Sequence, residues 1–185
     1  MSSTERWEHA VLALLDDLEM QAEGLQLAER AAEVDALTVA EYAEVRLVAR
    51  LHASVGRQVR VGVGDDLEVR GRLARVGSDW MLVDHGQIAW FVHLPAVLVV
   101  TGLDRHSVPD EALPLSARLS LRSVLRRLAD ERRTCALHVS GGRVLQGALV
   151  RVGADFVELR SADVPDSVVV PLAAVAVVRD SGSPA

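Results

Sequence analysis

Apolar residues recur at helical spacing along the first part of the chain and at strand spacing along the rest. From about residue 4 to residue 34 they fall three and four positions apart, which predicts an amphipathic helix. A capping box over Thr38–Glu41 predicts the start of a second helix, from Val39 to roughly Val55. From residue 58 onward, short runs such as 58–63 alternate apolar and polar positions, which predicts half-buried strands.

The strand region occurs twice in the sequence, at an offset of 76 residues. Gly71-Arg-Leu-Ala-Arg-Val-Gly-Ser-Asp-Trp80 and Gly147-Ala-Leu-Val-Arg-Val-Gly-Ala-Asp-Phe156 are identical at six of ten positions. The helical stretch 41–55 corresponds in the same way to 117–131. Two copies of a helix followed by about five strands are therefore predicted. Bend and turn positions recur in both copies: Gly71, Gly147, Gly77, Gly153, Asp79 and Asp155.

A glycine inside a strand is typical of the sharp bends by which short sheets close into barrels. The motif Val69-Arg-Gly71-Arg-Leu73 and its counterpart Leu145-Gln-Gly147-Ala-Leu149 resemble the hydrophobic–x–Gly–x–Leu motif of the Sm-like (Lsm/Hfq) family. That resemblance implies an N-terminal helix followed by a five-stranded barrel in each copy. The chain also resembles a family from high-GC Gram-positive bacteria, sometimes labelled Fis-family transcriptional regulators, through its Arg-Val-Gly-x-Asp-aromatic turns and Pro171-Leu-Ala-Ala-Val175.

The expected fold class is α+β, with an N-terminal helical arm followed by two helix-plus-five-strand Sm-like β-barrels. The domain boundaries expected from the pattern are an acidic arm at 1–37, a helix and first barrel at 38–103, a linker at 104–115, a helix and second barrel at 116–180, and a disordered tail at 181–185.

Charge is distributed unevenly along the 185 residues, whose net charge is −6. Residues 1–45 hold 11 Asp and Glu against two Arg, and an acidic chain is a poor general nucleic-acid binder. A basic cluster nevertheless surrounds the predicted helix at 117–131, where the four-residue spacing of Arg118, Arg122 and Arg126 places them on one helix side. The candidate contacts for nucleic acid or another anion are Arg118, Arg122, Arg126, Arg127, Arg132, Arg133, Arg75 and Arg151.

The residues that carry most enzyme chemistry are few and poorly grouped. Cys135 is the one cysteine, which excludes an intrachain disulfide and any Cys-rich metal site. Asp84, His85 and His93 could form a metal triad, but the second copy has Arg160-Ser161-Ala162 at the turn that holds Asp84 and His85. We therefore expect no catalytic residue, no metal and no cofactor.

The function expected from these observations is that of a non-catalytic scaffold or regulatory adaptor. We expect self-association, or a protein partner, through the barrel edges or the N-terminal helix. The alternative is an RNA- or DNA-binding regulator that uses the arginine-rich helix, and an enzyme is the least expected class. The sequence has no 18-residue apolar run, so we expect a cytoplasmic protein with no membrane partner.

Overall fold

The computed structural model describes residues 42–64, 66–86, 88–161 and 166–184. The chain divides into two compact units, residues 1–45 and residues 46–185. The predicted arm at 1–37 and the capping box at Thr38–Glu41 lie outside the described residues. Everything that follows concerns the second unit.

The described stretches form two α-helices and ten β-strands. The helices are α1 (Leu47–Ala53) and α2 (Leu121–Asp130). The strands are β1 (Gln58–Val63), β2 (Leu67–Val76), β3 (Trp80–His85), β4 (Ile88–His93), β5 (Val97–Thr101), β6 (Arg133–Val139), β7 (Val144–Val152), β8 (Phe156–Arg160), β9 (Val168–Pro171) and β10 (Val175–Pro184). Strand β10 thus continues through residues 181–184, which the sequence assigned to a tail.

All ten strands belong to one open sheet, in the order β5-β1-β2-β3-β4-β10-β6-β7-β8-β9. Each neighbouring pair is antiparallel. The first five strands have the order fifth, first, second, third, fourth, and the last five repeat that order. Strands β5 and β9 form the two ends of the sheet.

The expected α+β fold with two separate small Sm-like barrels is wrong. A five-stranded barrel closes when its fourth strand pairs with its own fifth strand, and here β4 pairs with β10 instead. In a closed barrel the free backbone groups of β4 would pair with β5. Here they pair with β10, which belongs to the second run of five strands, β6 to β10. The result is a single ten-stranded sheet in a mostly β unit.

The predicted helices are interrupted or shortened in the described residues. Tyr42 and Ala43 are helical, residues 44–46 are not, and α1 begins at Leu47. Helix α2 begins at Leu121. Residues Leu115–Arg118 form a 3-10 turn, so Arg118 does not lie on the same helix as Arg122. The chain is extended at Leu119, because the Leu119 carbonyl accepts hydrogen bonds from another turn rather than from the helix.

Two hydrophobic cores lie against the sheet, one for each run of strands. Leu51 of α1 packs with the inward side chains of β1 to β3, including Val61, Leu73 and Val83. The second core contains the α2 side chains together with residues of β6 to β8: Leu121, Leu125, Leu128, Leu137, Leu149, Val157 and Leu159. Strand β10 contributes to both, with Val177 in the first core and Val178 in the second. Strand β10 is therefore buried on both faces from Val175 to Val178.

Gly71 and Gly147 occupy equivalent positions where neighbouring strands come unusually close. A Cβ atom at Gly71 would overlap the Asp84 carbonyl of β3, and one at Gly147 would overlap the Arg160 carbonyl of β8. A register shift follows in both runs, between Leu73 and Arg75 and between Leu149 and Arg151. The glycines thus permit a close approach beside a β-bulge.

We predict that Gly71→Ala and Gly147→Ala each lower the free energy of unfolding by about 2 kcal/mol or more, because the overlapping atom belongs to rigid backbone. Chemical denaturation followed by circular dichroism measures the change. Gly64→Ala is the control, since its φ of +57° carries strain but its surroundings are open. An equal loss in all three variants would contradict the close-approach explanation.

Two partly buried histidines have no partner for one ring nitrogen. Among the described residues, the Nε2 atoms of His52 and His138 make no hydrogen bond. The His138 ring packs against Trp90, with 5.8 Å between ring centroids, and Arg179 lies over the same Trp90 ring. Burial lowers the pKa of both histidines, and the charge of Arg179 lowers the pKa of His138 further.

We predict that the protein loses stability as the pH falls below about 6.5, the ordinary histidine pKa. The unfolded chain then binds more protons than the folded chain, so the free energy of unfolding decreases with decreasing pH. Denaturation at pH 7.5 and pH 5 measures this difference. His138→Gln should reduce it and exposed His85→Gln should not. An unchanged difference in the His138 variant would contradict the assignment.

Candidate functional site

Strand β5 presents an apolar edge at one end of the sheet. It pairs with β1 through Arg60–Thr101, Val61–Val100 and Gly62–Val99, and in the described chain no strand lies on its other side. Leu98 is 72% exposed and Val99 is 56% exposed. An unpaired apolar edge of this kind is a template for a further strand.

Strand β9 forms the corresponding edge at the other end. It pairs with β8, with Phe156 opposite Pro171 and Val157 opposite Val170. Val169 is 58% exposed, whereas a valine in a strand normally packs against neighbouring side chains on its face of the sheet. Both ends of the sheet therefore carry exposed apolar side chains on strands that have a single neighbouring strand among the described residues.

The junction of β4 with β10 shows how such edges fit together. Val92 lies opposite Val177, Phe91 opposite Val178, and Trp90 opposite Arg179. Val92, Val177 and Val178 are fully buried, and so is Met81 of the adjacent strand β3. This junction joins the fourth strand of the first run to the fifth strand of the second run.

The free edges are the counterparts of that junction's two strands. Pro171 of β9 lies opposite Phe156 as His93 of β4 lies opposite Trp80. Strands β5 and β10 are equivalent in the same way. Where β5 pairs with β1, the register shifts between Val97 and Val99. Where β10 pairs with β6, it shifts between Val175 and Val177. By this equivalence Val169 corresponds to Phe91, and Val100 corresponds to Val178.

Charged side chains hold β10 to both of its neighbours, β4 on one side and β6 on the other. Arg179 lies 5.7 Å from the centroid of the Trp90 ring, a cation–π arrangement. Arg133 of β6 binds Asp180 at 2.6 Å, with both side chains at least three-quarters buried, and this contact raises the pKa of Arg133. Both contacts hold β10 to its neighbours.

A second contact accompanies the junction, between the β2–β3 turn and the start of α2. The Asp79 carboxylate accepts a hydrogen bond from the Leu121 amide at 2.7 Å, and so caps α2 from outside the helix. The Ser78 amide and the Trp80 indole both donate to the Leu119 carbonyl, at 3.0 and 2.8 Å. Trp80 is 5% exposed as a result. Ser120, the N-cap residue of α2 itself, makes no capping hydrogen bond with its side chain.

We predict that Asp79→Ala lowers the free energy of unfolding by about 1–2 kcal/mol, the ordinary cost of losing a helix cap. Thermal or chemical denaturation of the full chain measures it. Asp155→Ala is the matched control, because Asp155 holds the equivalent turn position but is exposed. Equal destabilisation by the two variants would contradict the capping role of Asp79.

The eight candidate arginines do not form one continuous binding surface. Four have partners, namely Arg122 with the Ala154 carbonyl, Arg127 with Glu131, Arg133 with Asp180 and Arg151 with Glu158. Arg75, Arg118, Arg126 and Arg132 are exposed, and the described residues provide no ion pair for them. Arg75 and Arg127 line a groove of about 670 Å³ between α2 and strands β2 to β4.

Groups for enzyme chemistry are sparse in the described part of the chain. Burial raises the pKa of the Cys135 thiol to about 12, so the thiol stays protonated and is a weak nucleophile at neutral pH. No cluster of three His, Cys, Asp or Glu side chains there is arranged to hold a metal ion. No helix within the described ranges has the length and apolarity needed to cross a bilayer.

The sequence matches no known family model, and no curated protein matches it at a significant level. The resemblance to the high-GC Gram-positive family therefore stays a prediction.

The sequence did not point to the residues of the two free edges or to the capping role of Asp79. Leu98, Val99 and Val169 belong to strands that the apolar pattern predicts, but exposure at an edge depends on strand order. The repeat was the usable signal, because aligning the two copies shows which strands have equivalent neighbours.

Proposed function

We propose that the protein is a non-catalytic interaction protein whose copies assemble head to tail, β5 of one copy pairing with β9 of the next. The observation that carries the proposal is the β4–β10 junction. The chain already contains one example of this strand pairing, and it leaves the equivalent partner strands free at its two ends.

The two free edges complement each other better than either complements itself. In the register of the β4–β10 junction, Val169 of one copy lies opposite Val100 of the next, and Val170 lies opposite Val99. This pairing buries the apolar side chains that the isolated chain exposes on both edges. It also satisfies the unpaired backbone groups of both strands.

An assembly of this kind is heterologous, because different surfaces of the two copies meet. Such contacts form a closed ring if the rotation between successive copies returns to the first copy, and an open filament if it does not. Each added copy extends the sheet by ten strands and leaves one β5 and one β9 edge at the ends.

The contact between copies is weaker than the internal junction. Two residues that make the cation–π contact across the internal junction have uncharged or smaller counterparts in the edges: Val168 for Trp90 and Thr101 for Arg179. The intermolecular seam therefore lacks the cation–π contact. Assembly is consequently reversible and depends on protein concentration.

A scaffold or adaptor is the function class that fits these surfaces. The buried, protonated Cys135 and the scattered polar groups support a non-catalytic role. The same proposal places the protein in the cytoplasm, where a single reduced cysteine is common. The nucleic-acid alternative has less support, since half of its candidate arginines already bind groups of the chain.

We predict that the mass of the full chain in solution rises with concentration above 19.9 kDa. Val169→Lys blocks the β9 edge and Val99→Lys blocks the β5 edge, because each puts a charge into the apolar seam. Analytical ultracentrifugation should find each variant monomeric at concentrations where the unaltered chain associates. Leu115→Lys is the control, since Leu115 is 81% exposed and lies outside the sheet.

Mixing the two edge variants tests the head-to-tail arrangement directly. The Val169 variant retains a working β5 edge and the Val99 variant retains a working β9 edge, so the mixture should form a heterodimer and stop there. A chain that stays monomeric at all concentrations, or a mixture that forms nothing, would overturn the proposal.

A further inference from the structure

Arg75 and Arg151 hold equivalent positions in the two runs of strands, but they lie opposite different residues. Beyond the register shift of the second run, Arg151 of β7 lies opposite Glu158 of β8. At the same place in the first run, Arg75 of β2 lies opposite Leu82 of β3. The Arg151 Nε atom is 3.2 Å from a Glu158 carboxylate oxygen, so these two side chains form an ion pair. Leucine offers no acceptor, and the described residues provide no ion pair for Arg75.

The second run therefore shows what an arginine at this strand position binds. Its partner is a carboxylate attached to the neighbouring strand, and guanidinium and carboxylate groups join through charge-assisted hydrogen bonds. The Glu158 side chain is only 18% exposed, so its carboxylate lies close against the sheet. In the first run the chain supplies the arginine without the acid.

Leu82, the residue in place of the acid, forms part of the floor of a groove. This groove of about 670 Å³ lies between α2 and strands β2 to β4. Trp80 and Phe91 continue the floor, with 5.7 Å between their ring centroids, and Val124 lines the side that α2 provides. Sites for small molecules typically have volumes of roughly 300–1,000 Å³ and a mostly apolar lining with a few polar groups. The groove has both properties.

The charged residues of the groove leave an excess of positive charge. They are two arginines and one glutamate, namely Arg75, Arg127 and Glu131. Arg127 binds Glu131 at 3.0 Å, so the charges of these two side chains offset each other. The charge of Arg75 is left, and Arg75 lies opposite Leu82 of the apolar floor. A complementary ligand therefore has one negative charge beside an apolar body.

We infer that this groove binds a small apolar carboxylic acid. The carboxylate pairs with Arg75, as the Glu158 carboxylate pairs with Arg151, and the apolar body lies over Leu82 and Phe91. Burial of the apolar body provides most of the affinity, because an ion pair that stays open to solvent contributes little. The carboxylate provides the selectivity, since a neutral body of the same shape leaves Arg75 without a partner. No residue of β5 or β9 lines the groove, so this inference is independent of the proposed assembly.

The test compares 2-naphthoate with 2-naphthamide, which share one ring system and differ in charge. Isothermal titration calorimetry of the full chain at neutral pH measures both dissociation constants. We expect 2-naphthoate to bind about fivefold more tightly than the amide, the upper end for an exposed ion pair. The difference should shrink as salt is added, because dissolved ions screen an exposed charge.

Two substitutions test the ion pair from its two sides. Arg75→Gln should lower the affinity for 2-naphthoate to that for 2-naphthamide and leave the affinity for the amide unchanged. Leu82→Glu gives Arg75 a carboxylate of the chain itself, and should abolish the preference for 2-naphthoate. Arg72→Gln is the control, since Arg72 is an exposed arginine of the same strand that does not line the groove. Chemical denaturation shows whether each variant folds, and Arg75→Gln decides the matter if Leu82→Glu does not fold.

The inference is overturned if 2-naphthoate does not bind at millimolar concentration, or if the two probes bind the unaltered chain equally well. A preference for 2-naphthoate that survives Arg75→Gln also overturns it, as does an equal loss of that preference in Arg72→Gln. If an acidic amphipathic peptide binds in an Arg75-dependent way and 2-naphthoate does not, the groove receives a protein segment and the inference is wrong.

Discussion

The pairing of β4 with β10 is the interaction on which the rest of the structure depends. It joins two runs of five strands into one sheet, and it gives both hydrophobic cores a common set of central strands. Val92 and Val177 are buried in the first core, and Val178 is buried in the second. A change that separated β4 from β10 would therefore expose parts of both cores at once, so the two runs depend on each other for stability.

Much of the strand content could be predicted from the sequence, because alternation of apolar and polar residues is a local property. The run around Val59, Val61 and Val63 was visible in this way, and the repeat singled out Gly71 and Gly147 as special positions. Barrel closure could not be predicted. The fourth strand of a run has the same apolar pattern whether it pairs with its own fifth strand or with that of the other run, and the choice depends on contacts distant in sequence.

The candidate site was predicted less well than the strands, for a related reason. Arginine spacing identified a cluster, but whether an arginine is free depends on partners such as Glu131, Asp180 and Glu158, which only the fold brings near. Asp79 and Asp155 were read as equivalent turn residues. Their difference lies in what the surrounding chain supplies: one turn has a helix start to cap and the other has none.

The position of β10 in the chain has a consequence for synthesis. Strand β4 ends at His93 and its partner β10 begins at Val175, so the ribosome makes about 80 residues between them. At roughly 5–20 residues per second this takes about 4–16 seconds. During that interval the first five strands have emerged with the apolar edge of β4 unpaired. A nascent chain therefore exposes an apolar strand edge that the completed chain covers with β10. The nearest strands that could pair with it are those of other chains being translated from the same messenger RNA.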